Sequence, residues 1–93
     1  MSQPQWYVYI LESESTGRFY YGCTSDLQRR LAEHNSRHSP STRGRGPWQI
    51  IWACSVADKK EAQQLEKWLK RCKNKQYIRR YMQEHPGEDL GKL

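Results

Sequence analysis

Tyr7-Val8-Tyr9-Ile10-Leu11 and, beyond the turn Thr16-Gly17-Arg18, Phe19-Tyr20-Tyr21-Gly22 decide the fold. Trp6 to Leu11 is aromatic and aliphatic with no helical repeat, so it reads as a strand. Glu12 to Gly17 is polar and ends in glycine, which suits a hairpin connection, and Arg18 to Gly22 is the return strand. Strand side chains alternate, so Tyr7, Tyr9 and Leu11 share one face and Trp6, Val8 and Ile10 the other. Tyr20 and Gly22 share a face, and Tyr21 points the opposite way.

A helix follows from Ser25 to His34. Ser25 is the expected cap, with Gln28 completing a capping box. Leu27, Leu31 and His34 recur at helical spacing on one face. Residues 36–47 turn to Ser, Arg, Gly and Pro, a loop. Trp48 to Cys54 reads as a third strand, apolar on both faces and therefore expected at the sheet centre. Asp58 caps a second helix, with Glu61 at the matching position and an apolar stripe of Ala62, Leu65, Leu69 and Cys72. Asn74 is a cap for a third helix docking through Tyr77, Ile78 and Tyr81, which His85-Pro86-Gly87 stops. The fold class is α+β: a three-stranded antiparallel-type sheet flanked by helices, in the order β-β-α-β-α-α. A leader (1–5), one domain (6–83) and an acidic flexible tail (84–93) are expected.

Ninety-three residues support one domain and one core. No stretch approaches the roughly 20 apolar residues that span a bilayer, so no membrane partner is expected. The N-terminus has neither a basic start nor a long apolar run, which predicts a cytoplasmic or nucleoid-associated protein. Cys23, Cys54 and Cys72 match no zinc spacing and read as reduced, semi-buried thiols. The net charge is +6. Residues 29–45 hold five arginines against Glu33 alone, and residues 59–80 hold nine cations against Glu61 and Glu66. Such stretches are either solvated helix faces or the footprint of a nucleic-acid backbone.

Three residues break the local pattern. Arg30 lies beside the core-facing edge of the first helix, three after Leu27 and four before His34. Taken alone, Arg30 reads as a side chain snorkelling outward and His34 as a helix-end residue on the dipole. Glu66 is wedged at the border of the second helix's stripe, where a charge needs a partner or a metal. Its plain reading is an i,i+4 pair with Lys70. Each tyrosine alone reads as strand packing with its hydroxyl at the rim, and Gly22 as a strand end or a close approach of backbone.

Taken together, these residues resemble the GIY-YIG nuclease family. Its first signature would read Tyr7-Val8-Tyr9 here, with glycine and isoleucine replaced, and its second Tyr20-Tyr21-Gly22, with the middle position changed. The family's helix arginine corresponds to Arg30, its histidine to His34, and its metal-binding glutamate to Glu66 in Glu66-Lys67-Trp68-Leu69-Lys70. The loop Ser41 to Trp48 also looks like small stand-alone members, and the resemblance covers about residues 6–81. It implies a metal-dependent endonuclease acting on DNA, on structured or damaged DNA in repair or recombination, with RNA left open.

On that reading Glu66 holds one Mg²⁺ or Mn²⁺ with waters, and Arg30 relieves phosphoryl charge. Tyr9 or Tyr20 orients or deprotonates the water, which requires a lowered phenol pKa. His34 relays a proton because its ordinary pKa sits near neutrality. Which tyrosine is the base stays open. Arg37, Arg43, Arg45, Lys67, Lys70, Arg71 and Lys73 would hold the nucleic-acid backbone. Nothing reads base edges, so specificity is low or comes from a targeting partner protein; monomer and homodimer both stay open. The competing readings are a non-catalytic nucleic-acid-binding module and a protein-interaction domain.

Overall fold

A computed structural model describes residues 5–36, 46–72 and 74–89. The elements are β1 (Trp6–Ser13), β2 (Phe19–Thr24), α1 (Leu27–Asn35), β3 (Trp48–Val56), α2 (Lys59–Arg71) and α3 (Lys75–Glu84). The α+β class and the order β-β-α-β-α-α are those expected from the sequence.

The sheet is antiparallel with strand order β2-β1-β3. This corrects the expected placement of Trp48–Cys54: β1 is central and β3 is an edge. β3 is apolar on both faces because both are covered. Trp52 packs among the α2 and α3 side chains, and Trp48 packs with Tyr9 and Leu27 on the other side. Two-sided burial thus came from the layers above and below, not from a strand neighbour on each side.

β1 divides its side chains between two cores. Val8 and Ile10 meet Trp52, Ala62, Leu69 and Ile78 on the face covered by α2 and α3. Tyr9 and Leu11 meet Leu27, Trp48 and Ala53 on the face covered by α1. Full burial of each large aliphatic side chain stabilises by about 1.5–3 kcal/mol. The β1–β3 register shifts between Ile10 and Leu11, which pair with Trp52 and Ile50. The extra residue, Ile51, is a bulge that bends β3.

Helix starts are set by acceptor side chains. Asp26, not Ser25, caps α1: its carboxylate accepts from the Arg29 amide at 3.1 Å, after Thr24 and Asp26 have bonded to each other through the Thr24 hydroxyl. Asp58 caps α2 through the Glu61 amide, and the Glu61 carboxylate accepts in turn from the Ala57 amide. Asn74 caps α3 as expected. Only part of the expected α3 face is buried: Ile78 is fully covered and Tyr81 partly, whereas Tyr77 is exposed.

The residues after α3 also depart from expectation. Glu84 ends the helix, and the chain then docks on β3 instead of hanging loose. The His85 carbonyl accepts from the Trp52 indole at 2.8 Å, the Glu88 amide donates to the Ala53 carbonyl at 2.7 Å, and Ser55 donates to the Glu88 carboxylate at 2.6 Å. Gly87 makes this possible, because a methyl group there would overlap the Ala53 carbonyl.

Candidate active site

The site begins with Tyr9, at the middle of the central strand and 2% exposed. Its register partner on β2 is Gly22. A methyl group built on Gly22 would overlap the Tyr9 phenol oxygen. The absent side chain is therefore what lets the Tyr9 ring lie across β2 and carry its hydroxyl toward the sheet edge.

α1 supplies the next groups. With Asp26 fixing its start, Leu27 anchors the helix and His34, 2% exposed, turns inward one helix length later. His34 Nε2 lies 3.0 Å from the Tyr9 hydroxyl oxygen. The imidazole meets both site tyrosines edge-on, at 5.9 Å from the Tyr9 ring and 4.9 Å from the Tyr20 ring, and Tyr20 meets Trp48 edge-on at 6.2 Å. Arg30 is half-buried beside the Tyr9 phenol and holds Glu33 at 3.3 Å. A guanidinium can only donate. The phenol oxygen therefore accepts from Arg30 and shares a further hydrogen bond with His34 Nε2.

Burial pushes the Tyr9 phenol up to about 12; Arg30 opposes this, and the charges of Tyr20 and Glu66 add to it. Burial, helped by Arg30 and opposed by Glu33, pushes His34 down to about 4. Burial thus favours the neutral forms of both the Tyr9 phenol and the His34 imidazole.

Glu66 reaches the same region from α2. Its side chain is 19% exposed, Oε1 lies 3.0 Å from Lys70 Nζ, and Oε2 accepts from the Cys23 thiol at 3.4 Å. Cys23 follows Gly22 on β2 and points to the opposite face. Tyr9 and Glu66 thus approach the same stretch of β2 from its two sides, and the charge of Glu66 reaches the Tyr9 phenol. The Cys23 thiol is free and half-buried, as the sequence reading has it, and is pushed up to about 11 by burial and then by Glu66. Strand alternation could have revealed it, since Cys23 shares the Tyr21 face that the second helix covers.

Of the expected backbone-binding cations, Lys67 and Lys70 flank Glu66 in a groove also lined by Lys60, Gln63 and Gln64. Arg71 is exposed but lies outside that groove. Arg37, Arg43, Arg45 and Lys73 lie outside the described residues. Among the described residues there is no group of three or more His, Cys, Asp or Glu side chains able to share an ion. Among them, too, no helix is long and apolar enough to cross a membrane.

The chain matches the GIY-YIG catalytic domain over residues 5–85. It is 36% identical over 77 residues to the UPF0213 protein plu4503 of Photorhabdus laumondii subsp. laumondii, covering 82% of this chain and 73% of that one. It is 45% identical over 71 residues to a UPF0213 protein of Streptococcus pneumoniae serotype 4, covering 75% and 71%. The solution NMR structure of the UPF0213 protein BH0048 from Bacillus halodurans superposes with a TM-score of 0.55 at 32% identity, covering 89% of this chain and 87% of that one. With the tyrosines, arginine and glutamate of the signature gathered at one strand, and the match running nearly end to end, this chain belongs to the GIY-YIG nuclease family.

Proposed function

We propose that this protein is a metal-dependent endonuclease that hydrolyses phosphodiester bonds in DNA. What supports the reading is that Tyr9, Tyr20 and Arg30 lie together on one face of β2, while Glu66 reaches its other face at Cys23 and its charge bears on the Tyr9 phenol.

The donor set suits one hard cation. Glu66 offers a single carboxylate at the mouth of an open groove, and Mg²⁺ or Mn²⁺ commonly takes one or two carboxylates and completes its shell with water and phosphate oxygens. Bound there by Glu66, the ion supplies Lewis-acid polarisation of the scissile phosphate. Lys70, whose side chain is 54% exposed, swings off the carboxylate to admit it. Arg30 is fixed by Tyr9 and Glu33, so its remaining donors are aimed before substrate arrives, and such preorganised charge is worth most in a partly dry site. Tyr9, held between Arg30 and His34, positions the scissile phosphate. Tyr20, half-buried at the edge strand, is the tyrosine left to orient or deprotonate the attacking water. His34 holds Tyr9 in place. Lys67 and Lys70 contact the backbone, with Arg71, Arg37, Arg43, Arg45 and Lys73 extending the basic surface. A role in repair or recombination, and a cytoplasmic location, belong to the same proposal.

The test is cleavage of linear and branched DNA by the pure protein with Mg²⁺ or Mn²⁺, beside Glu66→Ala and a chelator. Cutting is expected to disappear in both controls; equal cutting by Glu66→Ala would overturn the assignment. One observation favours a non-catalytic binding module: both Glu66 oxygens are already engaged, by Lys70 and Cys23. Salt-sensitive DNA binding without cleavage under either metal is what that reading requires.

A further inference from the structure

Trp68 and Tyr77 are the exposed large hydrophobic side chains among the described residues, at 38% and 48%. They are not scattered. Their rings lie 6.1 Å apart across the seam between α2 and α3, Tyr81 backs Trp68 at 5.2 Å, and His85 stacks on Tyr81 at 4.4 Å with planes 30° apart. The four rings form a strip, and the groove along it is also lined by Arg80 and Glu84.

Charge distinguishes this strip from a seat for an aliphatic helix. Arg80 stands at its rim, 77% exposed and only loosely paired with Glu84 at 3.7 Å. Lys67 and Arg71 are exposed on the neighbouring surface of α2. Aromatic faces that are partly open, set beside cations in excess of acids, match unpaired bases linked by phosphates. Bases within a duplex are already stacked on each other and offer no free face.

The position adds a second argument. Trp68 follows Glu66 by two residues, so the strip lies roughly 200° around α2 from the carboxylate. The exposed ridge between the two carries Lys67 and Arg71. We propose that this strip receives a single-stranded arm of the substrate, which crosses the basic ridge of α2 after leaving the Glu66 site. The inference rests on the nucleic-acid reading above and narrows the substrate to DNA with an unpaired strand next to the scissile duplex.

Binding in the presence of a chelator separates the two. The full chain is titrated with a blunt duplex and with the same duplex carrying an oligothymidylate arm. The arm is expected to raise affinity about 5- to 100-fold. Tyr77→Ala and Arg80→Gln, both exposed and spared by the core, are expected to lose that gain while binding the blunt duplex unchanged. Tryptophan emission should fall with oligothymidylate, and Trp68→Phe should remove most of the fall. If the arm adds nothing, or both variants keep its gain, the strip is not a strand site although the nuclease reading stands. Failure to bind either DNA at low salt removes both. Capture of an acidic polyglutamate peptide in place of oligothymidylate overturns the strand assignment in favour of a protein partner.

Discussion

β1 feeds two unlike regions from alternate residues. Val8 and Ile10 enter an apolar core with Trp52, Ala62, Leu69 and Ile78, where shape and area do all the work. Tyr9, one step away on the other face, enters a region where a phenol, an imidazole and a guanidinium fill space that apolar groups could fill at lower desolvation cost. The first region keeps the chain folded. The second accepts buried polar groups, and Gly22 gives up its side chain to make room for the Tyr9 phenol. A strand's period of two is enough to separate stability from chemistry within three consecutive residues.

The sharpest way to break this division is to remove the charges that bear on the Tyr9 phenol. Arg30→Ala and Glu66→Ala are each expected to lower the single-turnover cleavage rate about 100- to 1000-fold, with unfolding midpoints near those of the parent because both side chains are partly exposed. A large loss of stability instead would place these residues in the structural half. Leu69→Ala should show the opposite pattern. A fully buried leucine cut to alanine costs about 2–5 kcal/mol in urea unfolding, while cleavage per folded molecule stays at the parent rate.

His34 gives a pH test of the same contrast. Unfolded histidine titrates near 6.5 and folded His34 near 4. Between those values the unfolded chain binds the extra proton, so the contribution is complete above pH 6.5 and drains away as pH falls toward 4. The loss approaches about 3 kcal/mol. Among the described residues, Tyr9, Tyr20, Arg30 and Glu33 bear on the ring. His34→Phe should flatten this part of the stability profile; an unchanged slope would assign it to carboxylates elsewhere. The smallest effect is expected from Tyr9→Phe, which leaves the Arg30 donor and the His34 nitrogen without the oxygen between them. A loss of about 1–2 kcal/mol in thermal or urea unfolding is expected, with a larger proportional effect on cleavage.

Element order, both cores of β1 and the caps at Asp58 and Asn74 were legible in the sequence, because period, apolar stripes and acceptor side chains are local signals. The cap of α1 was misplaced by one residue: Ser25 and Asp26 are both good acceptors, and only the Thr24–Asp26 bonding decides between them. Strand order was not legible. An edge strand covered above and below carries the same composition as a central one, and Trp48 and Trp52 hide the difference. At the site, alternation and helical spacing brought Tyr9, Tyr20, Arg30 and His34 together correctly. The protonation states escaped, since desolvation depends on how deeply a group is enclosed, which spacing does not encode. Cys23 was passed over for the same reason that it matters: its partner Glu66 lies 43 residues further along the chain.

The docked segment from His85 to Glu88 has a practical consequence for anyone shortening this chain. A cut after residue 83 would strip the indole of Trp52 of its acceptor and leave the Ala53 carbonyl, at the outer margin of the sheet, unclaimed. Unclaimed margins recruit a further strand from whatever molecule is nearest. Such a trimmed product is expected to self-associate in sedimentation runs while Tyr9, Tyr20, Arg30 and Glu66 stay in place, so turbidity or poor yield would report a lost cover and not a damaged candidate site.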